Sequence, residues 1–208
     1  MKNIRYFIAL SLISIITSLI SKYILNTEEL IVNTLMEYFS LKEIEDELVV
    51  QRNWQWLTYG FITVLTLIKV TIIASILDIG CFFFGKQIKY KKLFNIVVKA
   101  EFFFLLVIIF KTAWFYFFQT DYNLEDLQYF YPLSALNIVG YEGLQPWFIY
   151  PVQVFNLFEL AYWVILAYLI DKELNENTVK GMSIVASSYG VSLLIWVVGV
   201  MFFTLNMS

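Results

Sequence analysis

Residues 61–84 read FITVLTLIKVTIIASILDIGCFFF, and this stretch decides the fold class of the chain. Its only charged residues are Lys69 and Asp78. About 20 consecutive, mostly apolar residues are enough for an α-helix to cross the hydrocarbon core of a bilayer. Together with the tryptophan-containing residues just before it, the stretch predicts a membrane-spanning helix over residues 54–84.

Four further stretches have the length and composition of membrane spans. They cover residues 4–24, 93–118, 152–170 and 182–205. Hydrophobic residues make up 60% of the 208-residue chain, whereas a soluble domain is about 45–50% apolar. The sequence therefore predicts one integral membrane domain over residues 1–208, an all-α bundle of five transmembrane helices.

The first of these stretches also has two features of a signal peptide, since Lys2 and Arg5 precede its apolar run. No small-x-small cleavage site follows around residues 18–21. We therefore expect an uncleaved helix.

Basic residues predict the orientation of the spans, because cytoplasmic loops carry an excess of lysine and arginine. With five spans, the N-terminus and the links after spans two and four share one side, which is then cytoplasmic. The C-terminus lies outside. Trp54, Trp114 and Trp147 fall at the outer interface, where tryptophan is enriched. A composition without histidine and rich in Lys, Asn and Ile is compatible with an AT-rich bacterium, which predicts the bacterial cytoplasmic membrane. The basic residues on the cytoplasmic side are Lys2, Arg5, Lys86, Lys89, Lys91, Lys92, Lys172 and Lys180.

Two segments on the predicted outer side are too long for simple turns. Residues 27–53 have the pattern of an acidic amphipathic helix or helical pair, with Thr27 as a plausible N-cap. We expect this segment to cap the bundle, and docking of an envelope partner is the alternative. Residues 121–151 combine many aromatic residues with Gly and Pro. They predict either a short interfacial or re-entrant element or an aromatic-rich loop.

Composition excludes several classes of function. The chain has no histidine and a single cysteine, Cys81, so histidine-centred catalytic triads, zinc-peptidase motifs and an intrachain disulfide are excluded. A net charge of -3 leaves no basic surface of the kind that binds nucleic acid. No motif for a metal or a cofactor is visible. Carboxylate-only metal sites and Ser-Lys chemistry survive these exclusions, but we predict that the protein is not an enzyme.

Five charged residues fall inside the predicted spans, and they are the candidate functional residues. A charge in hydrocarbon costs about 2.5–3.5 kcal/mol on insertion scales, so each needs a partner, a hydrated cavity or a function. They are Lys69, Asp78, Glu101, Lys111 and Glu159.

Helical geometry suggests how these charges are arranged. At a rise of about 1.5 Å per residue, Lys69 lies closest in depth to Glu159, near the midplane, while Asp78 and Glu101 share a level in the inner half. Lys69 and Asp78 are nine residues apart and therefore lie on opposite faces of their helix. The spacing predicts a pair between Lys69 and Glu159, either structural or functional. Asp78 would then face another neighbour, either Glu101 or a cytoplasmic lysine such as Lys99. If Asp78 and Glu101 face each other, the two carboxylates would share a proton. Lys111 is expected to reach the outer interface.

Small residues recur along the last span. Ser183 and Ser187, like Ala186 and Gly190, are four residues apart, a pattern that lets helices approach closely. We expect this face to pack within the chain, and dimerisation is the alternative.

The last two spans resemble those of Yip1-type membrane proteins. The resemblance rests on FNLFELAYWVILAYL at residues 155–169, the short polar link with Lys180 and Gly181, and IVASSYG at residues 184–190 followed by Trp196. The Asp-Leu-Tyr-Gly-Pro-type motif of eukaryotic members does not occur in the chain. The resemblance covers about a quarter of the sequence, and it implies five spans and a non-enzymatic scaffold.

Two functions follow from these observations. The first is a non-enzymatic membrane scaffold or subunit that binds another membrane or envelope protein, or forms a homo-oligomer, in the lipid bilayer. The alternative is a small ion- or proton-coupled transporter that uses the intramembrane Lys, Glu and Asp residues.

Overall fold

The structure is a computed structural model, and it describes residues 2–36, 38–175 and 179–207. In these residues the regular structure is helical, apart from one isolated β-bridge, which confirms the all-α prediction. A 3₁₀ turn, Phe102–Phe104, separates α4 from α5, and a π turn, Ala186–Gly190, separates α10 from α11. The helices are α1 (Lys2–Ile24), α2 (Thr27–Leu35), α3 (Leu41–Phe83), α4 (Tyr90–Glu101), α5 (Leu105–Phe117), α6 (Leu124–Tyr129), α7 (Leu136–Val139), α8 (Pro146–Val154), α9 (Leu157–Leu174), α10 (Val179–Val185) and α11 (Val191–Met207).

Four helical stretches of the described chain are long and apolar enough to cross a bilayer. They are Ile4–Ile24, Leu41–Phe83, Tyr90–Phe117 and Val179–Met207. Large apolar side chains, such as Phe82, Ile195 and Phe203, are exposed along them. An apolar exterior of this extent fits a lipid environment, since water-soluble proteins rarely expose large contiguous apolar patches. The chain is therefore a membrane protein.

The predicted span over residues 152–170 is divided into two helices. α8 ends at Val154, and α9 begins at Leu157 after extended backbone at Asn156. The side chain of Asn156 accepts from the N–H of Glu159 and caps the new helix, so the chain has a local reason to start α9 here. α8 packs along α11, while α9 packs along α10. α8 and α9 thus lie beside successive parts of the last spanning stretch, α11 and α10.

The outer segment over residues 27–53 is not a separate unit. Its first half forms α2, but its second half is continuous with span two in the 43-residue helix α3. α3 begins where the hydroxyl and N–H of Ser40 donate to the carboxylate of Glu43, at 2.7 and 3.0 Å. At about 1.5 Å per residue α3 is about 64 Å long, roughly twice the thickness of a hydrocarbon core of about 30 Å.

The buried core lies between the C-terminal half of α3, α4, α9 and α10. Leu77, Val97, Leu166 and Ile184 are fully buried there. The last span approaches its neighbours closely at glycines. A Cβ atom on Gly181 would lie 2.4 Å from the carbonyl oxygen of Ala167.

The small-residue face of the last span differs in part from the prediction. Ser183 and Ser187 are exposed, and their hydroxyls donate to carbonyls of their own helix. Ala186 is half-buried in the π turn, and Gly190 is buried. Serine hydroxyls satisfied by backbone carbonyls one turn earlier can face away from the bundle, so the close contacts in the described chain come from the glycines.

About half of the segment over residues 121–151 is helical, and the rest consists of turns and irregular backbone. It contains α6, α7 and the start of α8, and its backbone is joined to the break before α9. The N–H of Ala135 donates to the carbonyl of Phe155, and the N–H of Leu157 donates to the carbonyl of Leu133. Lys111 of α5 donates to the carbonyl of Leu127 in α6. The segment is therefore tied to the spanning helices at both ends.

Candidate functional site at the centre of the bundle

Lys69 of α3 forms an ion pair with Glu101 at the end of α4. The distance from Lys69 Nζ to Glu101 Oε2 is 2.8 Å, and the side chain of Glu101 is 7% exposed. The hydroxyl of Tyr162 in α9 donates to the other oxygen of Glu101 at 2.9 Å. The ring of Phe104 lies 4.4 Å from Lys69 Nζ, a separation at which an aromatic face attracts a cation. α3, α4 and α9 therefore meet at one carboxylate.

This arrangement corrects the predicted pair between Lys69 and Glu159. Depth counted from the ends of straight spans places Lys69 about 10 Å above Glu101. However, α4 begins at Tyr90, three residues before the predicted span, which places Glu101 about 4.5 Å deeper at a rise of about 1.5 Å per residue. α3 and α4 also pack directly against each other. The long lysine side chain covers the remaining difference.

Glu159 in the first turn of α9 is held by neutral donors. Its Oε1 accepts hydrogen bonds from the Tyr189 hydroxyl at 2.7 Å and from the Trp163 indole N–H at 3.0 Å. Its own N–H donates to Asn156 Oδ1 at 2.8 Å. Both side-chain donors use the same oxygen, which leaves Oε2 as the position where a proton can be added.

An aromatic contact joins the two carboxylate groups. The ring centroids of Tyr162, which bonds Glu101, and Tyr189, which bonds Glu159, are 5.6 Å apart. Tyr131 of the outer segment lies close enough to both carboxylates for their charges to act on its hydroxyl. Burial raises the pKa of Tyr131, and the charges of Glu159 and Glu101 act in the same direction. Glu101 and Glu159 thus belong to one polar cluster, which we call the central cluster: Lys69, Glu101, Glu159, Tyr162, Trp163 and Tyr189.

Regular helix geometry is interrupted next to each carboxylate. The 3₁₀ turn Phe102–Phe104 follows Glu101, the break at Asn156 precedes Glu159, and the π turn Ala186–Gly190 contains Tyr189. π turns and 3₁₀ stretches inside longer helices often occur at functional sites. In several transporters, substrate and ion sites are formed by discontinuous helices near the bilayer midplane. The interruptions make the cluster a stronger functional candidate than its charges alone.

Asp78 does not belong to this cluster. It lies on an exposed face of α3, whereas Glu101 is buried against Lys69 and Tyr162. The predicted pair of facing carboxylates is therefore wrong. The expected rotation of the third span is not realised, because the face of α4 that carries Glu101 is turned toward Lys69 and α9.

The sequence reasoning missed the tyrosines and Asn156. One signal was available, since Asn156 and Glu159 have the spacing of a helix N-cap followed by an acid at the third position. Tyr162 lies one turn after Glu159, but its partner Glu101 is sixty-one residues away in sequence. Such a contact has no local signature.

A cavity of about 770 Å³ opens between the end of α5, the outer segment and the break before α9. Asn156 lines it, so the cavity reaches the residue that caps α9 one turn before Glu159. Within the described residues, no group of three or more Asp, Glu or Cys side chains is placed to hold a metal ion.

Comparisons with known proteins give no relative for this chain. No family model, no curated protein and no solved structure matches it. The similarity to Yip1-type proteins in the last two spans therefore stays a prediction.

Proposed function

We propose that the protein is a small proton-coupled membrane transporter and that Glu159 is its proton-binding residue. The observation that carries this proposal is the charge balance of the central cluster. One ammonium, Lys69, is paired at 2.8 Å with Glu101, while the side-chain donors to the carboxylate of Glu159 in the described chain are a phenol and an indole.

An uncompensated carboxylate in a low-dielectric interior is costly, and protonation relieves that cost. Glu159 can gain and lose a proton without breaking the Lys69–Glu101 pair. Glu159 is hydrogen-bonded to Tyr189 in the π turn and to Asn156 at the helix break. A change in the protonation of Glu159 therefore acts on two places where the helix geometry is irregular. This is the coupling between proton and conformation that a transporter needs.

Infrared titration tests the proton site without knowledge of a substrate. As the pH is lowered, purified protein in detergent should gain a protonated-carboxyl band at the higher frequency typical of a carboxyl group shielded from water, separate from the band of the exposed Asp and Glu side chains. Glu159→Gln should lack that high-frequency band. The amide of glutamine still accepts from Tyr189 and Trp163, so the variant is expected to fold. Glu142→Gln, on the exposed outer segment, is the matched control and should leave the band in place. An unchanged band in Glu159→Gln would overturn the assignment.

Transport itself is tested in proteoliposomes with an imposed pH gradient. A panel of amino acids, organic cations and inorganic ions is added outside, and internal pH is followed by a dye. At least one solute should dissipate the gradient with the native protein and fail to do so with Glu159→Gln. Equal rates for both proteins across the panel would argue against proton coupling.

For the cellular setting we propose the bacterial cytoplasmic membrane, with a cytoplasmic N-terminus and an outer C-terminus. Support comes from the lysine distribution and from the path of α8 and α9 alongside the last spanning stretch, which is the path of a fifth span. A reporter fused after Ser208 should be active outside the cytoplasm. Activity on the cytoplasmic side would contradict the five-span arrangement.

A second candidate function, a scaffold or subunit for another membrane or envelope protein, is favoured by the outer part of α3. Val49, Trp54 and Trp56 are exposed there, beside the acidic run of residues 43–47. Purification in mild detergent, followed by mass measurement, should return a complex or a homo-oligomer if this function holds. A monomer that is fully active in the proteoliposome assay would leave proton-coupled transport as the better account.

A further inference from the structure

The wall of the cavity beneath the outer segment carries two chemically different groups of side chains. Apolar side chains of α5 and α9 and of the break before α9, which are also exposed on the flank of the bundle, form what we call its apolar end; they include Phe110, Phe155, Leu157 and Leu160. The carboxylate of Asp126 and the aromatic rings near it form what we call its polar end. A volume of about 770 Å³ lies within the usual range for small-molecule sites, about 300–1,000 Å³.

The polar end of the cavity is acidic and aromatic. Asp126 accepts a hydrogen bond from the Tyr141 hydroxyl at 3.3 Å and from the N–H of Asn123 at 3.0 Å. The rings of Tyr129 and Tyr141 lie 4.8 Å apart, and the indole of Trp114 also lines this end. Burial, followed by the charges of Asp126, Glu125 and Glu142, raises the pKa of Tyr141, so the local potential is negative.

Positive charge is missing from the cavity wall. Among the described residues that line it, none is a lysine or arginine. The nearest lysine along α5, Lys111, donates to the carbonyl of Leu127. An occupant with a positive charge would therefore complement Asp126, and aromatic rings attract cations through their faces.

We propose that this cavity binds an organic cation with a bulky apolar body. The apolar part would contact Phe110, Leu157 and Leu160, and the charge would lie near Asp126 and the tyrosines. A phospholipid fits less well, because its phosphate would lie beside Asp126 with no basic residue on the wall. The site stands apart from the proposed proton coupling, since binding requires neither transport nor protonation of Glu159.

Equilibrium dialysis with tetraphenylphosphonium tests this site in the purified full-length protein. Tetraphenylborate, which has nearly the same shape and the opposite charge, is the matched probe. The cation should bind at one saturable site, and the anion should show only unsaturable uptake into detergent. Similar uptake of both probes would overturn the proposal.

Two pairs of variants locate the site. Asp126→Asn keeps an oxygen that can accept from Asn123, and it should weaken binding of the cation about tenfold, a change typical of losing one charged contact. Glu125→Gln removes the same charge from the adjacent residue, which does not line the cavity, and should change affinity by less than about twofold, as expected for a screened surface charge.

Leu160→Trp fills the apolar end and should abolish saturable binding, whereas Val164→Trp, one turn along the exposed face of α9, should not. This second pair keeps the test decisive if Asp126→Asn fails to fold. Equal effects within both pairs would exclude the cavity as the binding site. Binding that survives in Glu159→Gln would separate this inference from the proposed transport mechanism.

Discussion

At the scale of single residues, the arrangement of the central cluster depends on which carboxylate forms the ion pair with Lys69. Glu101 has both a cation and a phenol as partners, and it is almost fully buried. Removing one member of a buried pair leaves an uncompensated charge, which costs more than removing both. Lys69 is half-exposed, so leaving Lys69 unpaired costs less free energy than leaving Glu101 unpaired.

We predict that Lys69→Met lowers stability by about 2–3 kcal/mol, because it leaves the buried carboxylate of Glu101 without its cation. Glu101→Gln should lower stability less, because the lysine that it leaves unpaired is half-exposed. The double variant should be more stable than the sum of the single changes implies, with a coupling of about 1 kcal/mol or more. Thermal unfolding in one detergent, read as a double-mutant cycle, measures this. Additive losses would mean that the two side chains do not interact.

Residue positions were only partly predictable from the sequence. The charges themselves are visible because apolar spans make them conspicuous, and helical periodicity separates Lys69 from Asp78. The partner of Lys69 was not predictable, because it depends on where α4 begins and on which face of α4 is turned toward α3. The donors to Glu159 come from Trp163 and Tyr189, and only Trp163 is close in sequence.

At the scale of helices, close packing of the last span depends on two glycines. A Cβ atom on Gly181 would meet the backbone carbonyl of Ala167 at 2.4 Å, and one on Gly190 would meet the Trp163 ring at 2.5 Å. Backbone cannot move aside as easily as a side chain can. The contact at Gly181 is therefore the less tolerant of the two.

We predict that Gly181→Ala destabilises the protein by about 2 kcal/mol or more, as expected for overpacking in a tight interface. Gly199→Ala is the matched control, because a Cβ atom there has nothing within 4 Å. It should be neutral or slightly stabilising, since alanine is the better helix former. Equal unfolding temperatures for the two variants would show that the helices do not approach at Gly181.

The junction of α1, α2 and α3 should respond to pH. Glu28 lies 2.8 Å from Lys22 and 3.8 Å from Arg52. The hydrogen bond and charge of Lys22, followed by the charge of Arg52, lower the pKa of Glu28. Its stabilising contribution is therefore present above the ordinary pKa of glutamate, about 4.3, and is lost as the pH falls through the lowered value.

We expect Glu28→Gln to cost a few tenths of a kcal/mol at neutral pH, because the pair is exposed and screened. The difference from the native protein should vanish in acid and shrink in high salt. Unfolding temperatures at several pH values measure it. Glu29→Gln removes the neighbouring acid and should show no such difference.

Helix identities were predicted better than helix limits. Apolar runs located four stretches that are long and apolar enough to cross a bilayer, whereas the fifth predicted span, residues 152–170, is divided before Leu157. The continuity of α3 through residues 41–83 was missed because the acidic residues suggested a separate element, although no proline interrupts this range. The π turn Ala186–Gly190 has no local signature in the sequence.

At the scale of the whole molecule, α3 is too long for the bilayer. With its C-terminal end at one interface, about 20 residues cross the hydrocarbon core, and the remainder must tilt or project. Its first residues carry the acidic run, which favours projection into water.

Cysteine labelling measures this projection. On a Cys81→Ala background, a cysteine at Glu45 should react with a membrane-impermeant maleimide in intact cells, and one at Leu65 should not. The two positions lie about 57 and 27 Å from Phe83 along the helix axis. Reaction at Leu65, or protection at Glu45, would contradict a helix that extends beyond the outer face.

The position of Glu159 has an electrical consequence. In the proposed five-span arrangement, this carboxylate, counted along α9, would lie about halfway through the hydrocarbon core. A proton that reaches it from outside would cross about half of the membrane potential, worth about 1.2 kcal/mol per 100 mV. An inside-negative voltage would then raise its occupancy about sevenfold per 100 mV, so the resting potential of the cell would set the protonation of the cluster together with external pH.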